Sequence, residues 1–155
     1  MPCFPSIQKV PQRVDLAVIA TPAATVPEII NACGEAGVRA VVVITAGFSE
    51  SGPAGAKLER ALLENARRHR LRVLGPNCLG ILSPQVRLNA SFARRLPLDG
   101  SLALVSQSGA IAAGLVEWAW RRRIGFSGIV SLGDAIDVDF GDCLDHFAED
   151  ARTSA

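Results

Sequence analysis

Ser106, Gln107, Ser108 and Gly109 stand between an apolar run, Leu102 to Val105, and a stretch with helical periodicity. A strand that passes through a small-residue turn into a helix aims several backbone N–H groups, and the positive end of a helix dipole, at one spot. Such a spot suits an anionic oxygen, most often a phosphate. The Ser hydroxyls add hydrogen-bonding groups, and Gly109 lets the backbone come close. Many α/β strands end in a Ser/Gly turn that binds nothing, so this segment alone decides little. A second turn, Gly75-Pro76-Asn77-Cys78-Leu79-Gly80, follows another short apolar run, Leu71 to Leu74. Two special turns at the carboxyl ends of two strands mark the edge where open α/β sheets bind ligands.

The elements that hold these turns read clearly. Asp15 to Ala20 is an apolar strand ended by Thr21-Pro22. Thr25-Val26-Pro27-Glu28 has the capping-box pattern and starts a helix to about Gly37, burying Val26, Ile29, Ile30 and Cys33. Arg39 to Ile44 is a β-branched strand of the kind buried on both faces of a parallel sheet. Its carboxyl-end loop is Thr45-Ala46-Gly47-Phe48-Ser49. Pro53 opens a helix that ends in Arg67-Arg68-His69-Arg70, where basic side chains complement the dipole. Arg72 to Leu74 is the third strand, and the alternation implies right-handed βαβ crossovers. Leu88 to Phe92 is extended, and Arg94 to Gly100 reads as a linker. A second unit follows: strand 102–105, helix 108–123 burying Ile111, Leu115 and Trp118, strand 127–132 and helix 140–149.

Composition limits the function classes. The chain has 155 residues, 49% of them hydrophobic and 20% charged, with a net charge of +1. That balance fits a soluble α/β protein and argues against a nucleic-acid partner. No apolar run reaches the roughly 18–20 residues of a membrane span, and the first residues lack a signal-peptide pattern. A cytoplasmic location with four reduced cysteines follows. Those cysteines, Cys3, Cys33, Cys78 and Cys143, are widely spaced and form no zinc pattern.

Other polar residues have ordinary readings. His69 reads as a solvated helix-end residue and His146 as a mid-helix residue without a phosphate-binding turn. Cys78 has no His partner that would make it a nucleophile. Asp134, Asp137, Asp139, Asp142 and Asp145 lack the EF-hand spacing, and part of the run suits a helix N-terminus. The run from Trp118 to Arg123 reads as a half-buried, capped helix end. Asn77 is open to two readings, a turn residue or a ligand contact.

Taken together, LGPNCLGIL, LNASFA, LALVSQSGAIA and SLGDAIDVDFGD resemble the NDP-forming acyl-CoA synthetases, relatives of the succinyl-CoA synthetase α-subunit. The likeness runs over essentially the whole chain. NASFA and SLGDAIDVDFGD are most similar to the branch fused to a GNAT-type lysine acetyltransferase domain. The resemblance implies an α/β fold with parallel sheets. Residues 1–95 would be the C-terminal part of a Rossmann-like CoA-binding domain, and 96–155 the start of a flavodoxin-like succinyl-CoA-ligase domain. It implies the conversion of acyl-CoA, ADP and phosphate to acid, ATP and CoA through an acyl phosphate and a phosphohistidine. Coenzyme A, and ATP or ADP with Mg in the complete protein, are the implied cofactors.

Residue by residue, the resemblance places Thr21 and Pro22 along the CoA pantetheine or diphosphate, with Thr45 and Gly47 bordering the same groove. Asn77 and Cys78 would line the pocket between the CoA thiol and the phosphate, and Ser106, Gln107, Ser108 and Gly109 would cradle the phosphate. A β-branched residue at Gly109 is expected to obstruct the anion with little effect on the fold. No counterpart of the family's Gly-rich first turn or of its phosphoryl-carrying His loop occurs here. The expectation is therefore an internal fragment with no catalytic or metal-binding residue, partnered by the rest of a ligase in the same chain or by a β-type subunit. The alternative implied by the likeness is an acyl-CoA sensor acting on a GNAT domain without ligating.

Overall fold

Three apolar runs form a parallel sheet, β1 (Leu16–Ile19), β2 (Ala40–Val43) and β3 (Arg72–Leu74), in that order. Ala17 lies opposite Val41, and Val41 opposite Val73. The computed structural model of the chain describes residues 2–155. Helices α1 (Val26–Glu35) and α2 (Pro53–His69) cover one face of this sheet. Val26, Ile30, Leu62, Val41, Val43 and Val73 have essentially no exposure. Each such side chain contributes roughly 1.5–3 kcal/mol of burial.

Two local expectations about these helices change. Thr25 does not cap α1 through its side chain, because a 3-10 turn over Ala23–Thr25 precedes the helix. Its hydroxyl donates instead to Pro22 O at 2.7 Å and is in position to accept from the Thr21 hydroxyl at 2.9 Å. His69 is half-buried rather than solvated. Its ring lies where a Cβ on Gly34 would come within 2.2 Å, and its Nε2 is hydrogen-bonded to Asn31 Oδ1 at 2.9 Å. The close approach of α1 and α2 depends on Gly34 having no side chain.

The second sheet has the order β5-β4-β7-β6. Its strands are β4 (Gly80–Ser83), β5 (Leu88–Ser91), β6 (Leu98–Ser106) and β7 (Gly125–Ser131). β6 and β7 pair in parallel through the crossover helix α3 (Gly109–Arg121), as the alternation predicts. β4, unassigned in the sequence, adds antiparallel pairing to both β5 and β7. The α/β fold therefore holds, with one parallel sheet and one mixed sheet. Leu98 to Gly100, read as linker, is already the start of β6, whose register shifts between Asp99 and Leu102. The final helix, α4 (Phe140–Glu149), begins with a capping box between Asp139 and Asp142.

α3 buries a different stripe from the one its large residues suggest. Ala112, Val116 and Ala119 face the sheet, whereas Ile111 is 59% exposed and Trp118 48% exposed. The two stripes differ by one residue. Small side chains let the helix lie close to β6 and β7, so size alone misleads. Trp118 and Trp120 instead lie under the guanidinium groups of Arg122 and Arg95, at 4.4 and 5.2 Å.

The two sheets meet along a seam. Asp134 N–H donates to Pro76 O, Ile136 N–H to Gly75 O and Val138 N–H to Val73 O. Arg72 extends the seam by donating to Asp137 at 3.1 Å and to Asp142 at 2.9 Å.

Candidate functional site

The carboxyl ends of β1, β2, β3, β7 and β6 converge on one rim, held by a chain of hydrogen bonds. Thr45 Oγ1 donates to Thr21 O at 2.7 Å, and Asn77 N–H donates to Thr45 O at 3.0 Å. Asn77 Nδ2 then reaches Asp134 Oδ1 at 3.5 Å, the outer limit of a hydrogen bond. Leu132 N–H donates to Ser106 O and joins the last two turns.

At the β6 end of the rim is a cleft of about 330 Å³ lined by Asn77, Gln107, Ser108, Gly109, Gly133 and Asp134. Four of these six are sequence-identified candidates. Ser108 is the N-cap of α3 and accepts a hydrogen bond from Ile111 N–H. Gly109 and Ala110 are the first two helical residues, so their N–H groups are orphan donors of the first turn. An anion at such a helix end gains about 0.3–1 kcal/mol when exposed and up to about 2 when partly buried. Ser106 acts one step back: its hydroxyl donates to Ser108 O and accepts from Ser108 N–H, fixing the turn.

Gly109 has a second reason to be glycine. A Cβ there would meet Leu79 Cβ at 3.2 Å and Leu79 N at 3.3 Å. A side chain there would need Leu79 to give by a few tenths of an ångström. Asn77 is a turn residue that also faces the cleft. Its φ of +56° makes it a left-handed turn residue, and its exposed side chain lines the cleft.

Cys78 lies beneath this turn and is 3% exposed, with its thiol donating to Val43 O at 3.3 Å. Burial pushes that thiol up to about 12, so it is protonated and unreactive at neutral pH.

The other end of the rim is already satisfied internally. Gly47 N–H and Phe48 N–H both donate to the carboxylate of Glu50, the latter at 2.9 Å. Gly47 sits at φ +108°, and a Cβ would approach Ala23 at 3.1 Å. Thr21 and Pro22 are exposed beside it. Thr21, Pro22, Thr45 and Gly47 thus form one continuous strip of neutral groups. They offer hydroxyl, carbonyl and glycine surface suited to a long uncharged chain such as pantetheine, and their side chains bring no positive charge.

Gly133 and Asp134 were not foreseen as cleft residues. Gly133 has φ +58°, and a Cβ would fall 2.1 Å from Pro76 O. In the sequence Asp134 is one of five closely spaced acids with nothing to set it apart. Its carboxyl is raised above the ordinary range by burial and then by the charge of Glu50, with a smaller push from Glu59, against the lowering effect of Asn77. The signal that would have found it is positional: in a parallel pair, the turn after β7 must lie beside the turn after β6. The other acids have separate tasks. Asp139 and Asp142 cap α4, and Asp137 accepts from Arg72 and from Val73 N–H at 2.7 Å. Among the described residues, no three His, Cys, Asp or Glu side chains converge as metal ligands, and no helix is long and apolar enough to cross a membrane.

Larger cavities lie elsewhere. One of about 500 Å³ is lined by residues such as Val105, Leu144 and Phe147, and it lacks the convergent backbone donors of the smaller cleft.

Comparison with known proteins bears on these features. Residues 1–84 match the model of a CoA binding domain, and residues 99–155 match that of a succinyl-CoA ligase like flavodoxin domain. The chain is 46% identical over 152 residues to acetate–CoA ligase [ADP-forming] I of Archaeoglobus fulgidus, covering 98% of this chain and 22% of that protein. It is 42% identical to acetate–CoA ligase [ADP-forming] I subunit alpha of Pyrococcus furiosus, covering 98% of this chain and 33% of the subunit. A solved structure of the Candidatus Korarchaeum cryptofilum dinucleotide forming acetyl-coenzyme A synthetase 1, in complex with phosphate and ADP, superimposes with a TM-score of 0.94. It is 43% identical and covers 99% of this chain and 33% of that one. The chain thus spans between about a fifth and a third of these relatives. All three are CoA ligases or synthetases by name, and nothing among them supports the acetyltransferase-coupled alternative.

Proposed function

Because the chain belongs to the ADP-forming acetyl-CoA synthetase family, as its CoA-binding region with the adjoining succinyl-CoA ligase-like domain, we propose that its rim is where an acyl-CoA meets phosphate. The pantetheine runs over Thr21, Pro22, Thr45 and Gly47, and the thioester end reaches Asn77. The phosphate rests against Ser108, Gly109 and Gln107. The observation that carries this reading is the single cleft formed by Asn77 with Gln107, Ser108 and Gly109, drawn from the ends of strands in both sheets.

In this reading the chain's own groups orient and hold. The Gly109 and Ala110 N–H groups hold the negative oxygens of the phosphate and orient it toward the thioester. Ser106 keeps the turn closed, and buried Cys78 supports it from below. Residues 1–95 serve the CoA side and 96–155 the phosphate side of the reaction. The complete ligase, in one chain or with a β-type subunit, supplies the nucleotide with its Mg and the phosphoryl-carrying His. It acts in the cytoplasm, converting acetyl-CoA or a similar thioester, ADP and phosphate to acid, ATP and CoA.

The test uses a complete ligase containing this segment. Incubation with acetyl-CoA and labelled phosphate gives an acid-labile phosphohistidine, and Ser108→Ala lowers its rate of formation about ten-fold. No labelled protein, or an unchanged rate in Ser108→Ala, overturns the assignment.

A further inference from the structure

Asp134 is an odd neighbour for an anion. Asp134 lines the same cleft as the α3 donors, yet an acid there should repel their ligand. Its hydrogen bonds do not neutralise it. Oδ1 has Asn77 Nδ2 at 3.5 Å, and Oδ2 is buried with no hydrogen-bond partner. A buried carboxylate oxygen left unpaired is costly, so this position stands out from the surface acids. No basic side chain lines the cleft to offset it.

An ionised carboxylate accepts hydrogen bonds and cannot donate them. Beside an oxyanion site it therefore sorts ligands by whether they still carry a proton. Hydrogenphosphate keeps one P–OH group at neutral pH and can donate it. Sulfate is fully deprotonated and can present only like charge.

We infer that Asp134 is the specificity-determining residue of the cleft, accepting the P–OH proton of phosphate and excluding fully deprotonated oxyanions such as sulfate. This rests on the phosphate reading above. The neighbours Glu50 and Glu59, together with burial, raise the proton affinity of Asp134 and make it a stronger acceptor. Gly133 and the bond from Asp134 N–H to Pro76 O fix the backbone that carries it.

Calorimetric titration of a nucleotide-free complete ligase containing this segment with inorganic phosphate and with sulfate, at pH 7 and equal ionic strength, tests the inference. Phosphate should bind about ten-fold or more tighter, since a site built to pair a hydroxyl rejects the analogue that lacks it. In Asp134→Asn, phosphate weakens, sulfate strengthens and the ratio falls to within about two-fold, because the amide also donates. Equal affinities in the unaltered chain, or a ratio kept in Asp134→Asn, overturn the inference and leave the phosphate site standing. Binding of neither anion overturns both. The unaltered chain alone gives a decisive ratio if the variant does not fold.

Discussion

The two turns that follow β2 and β6 differ in how they treat their own donors. After β2, the amides of Gly47 and Phe48 are taken by Glu50, three and two residues along the chain. After β6, the hydroxyls of Ser106 and Ser108 satisfy only Ser108 N–H and Ile111 N–H, so the first donors of α3 still point outward. Both turns use glycine and both follow the carboxyl end of a strand, one in each sheet. One is closed by its own carboxylate, and the other presents donors to an incoming anion. Position at the edge makes a turn available, and local side chains decide what it is available for.

Breaking the contact that seats the turn after β7 against the turn after β3 should have the largest effect. Gly133→Val places a β-branched residue at φ +58° against the Pro76 carbonyl. Stability should fall by about 3 kcal/mol or more in urea unfolding, and a loss below about 1 kcal/mol would mean the seam yields easily.

Ser108→Ala acts on the open turn alone. It removes the N-cap of α3 and should cost about 1 kcal/mol of stability, together with a several-fold loss of phosphate affinity by calorimetry. Glu50→Ala acts on the closed turn. It should cost about 0.5–1 kcal/mol, since the carboxylate is exposed. The amide signals of Gly47 and Phe48 should then move on adding phosphate, and should stay still in the unaltered chain. If they stay still, the difference between the turns lies in shape rather than in the carboxylate.

The smallest effects lie in the pH dependence. Asp142 is held below the usual carboxylate range by Asp139 N–H and Arg72. Its contribution is full above the unfolded value of about 3.9 and is lost as pH falls through its lower folded value. Asp134 has the opposite sign, because its folded value is raised. Its ionised form costs stability at neutral pH, and the cost disappears as pH falls through that raised value. In urea unfolding at pH 7, Asp134→Asn should be slightly more stable than the unaltered chain and Asp142→Asn slightly less. Both differences should vanish on acidification.

The first sheet was legible because its strands are β-branched runs separated by helices with clear starts and stops. The second was harder. Gly80 to Ser83 is only four residues and opens on glycine, so nothing local marks β4. On α3, large exposed residues drew attention from the small stripe that packs. The site divides in the same way. Asn77 and Ser106 to Gly109 stand out by residue type, while Gly133 and Asp134 depend on β7 lying beside β6, a long-range fact. Glu50 was invisible as a partner of Gly47 because a carboxylate three residues on has many possible targets.

The pairing of β4 with both β5 and β7 also bears on how the chain comes apart. Residues 80–91, from before the Arg94–Leu96 connection, complete the sheet begun by residues from after it. Cutting that connection would leave each piece with a bare sheet edge, the situation that drives strands to seek partners. The two pieces, produced separately and mixed, should therefore reassemble into one body, as halves of a single folding unit rather than as two modules joined by a string.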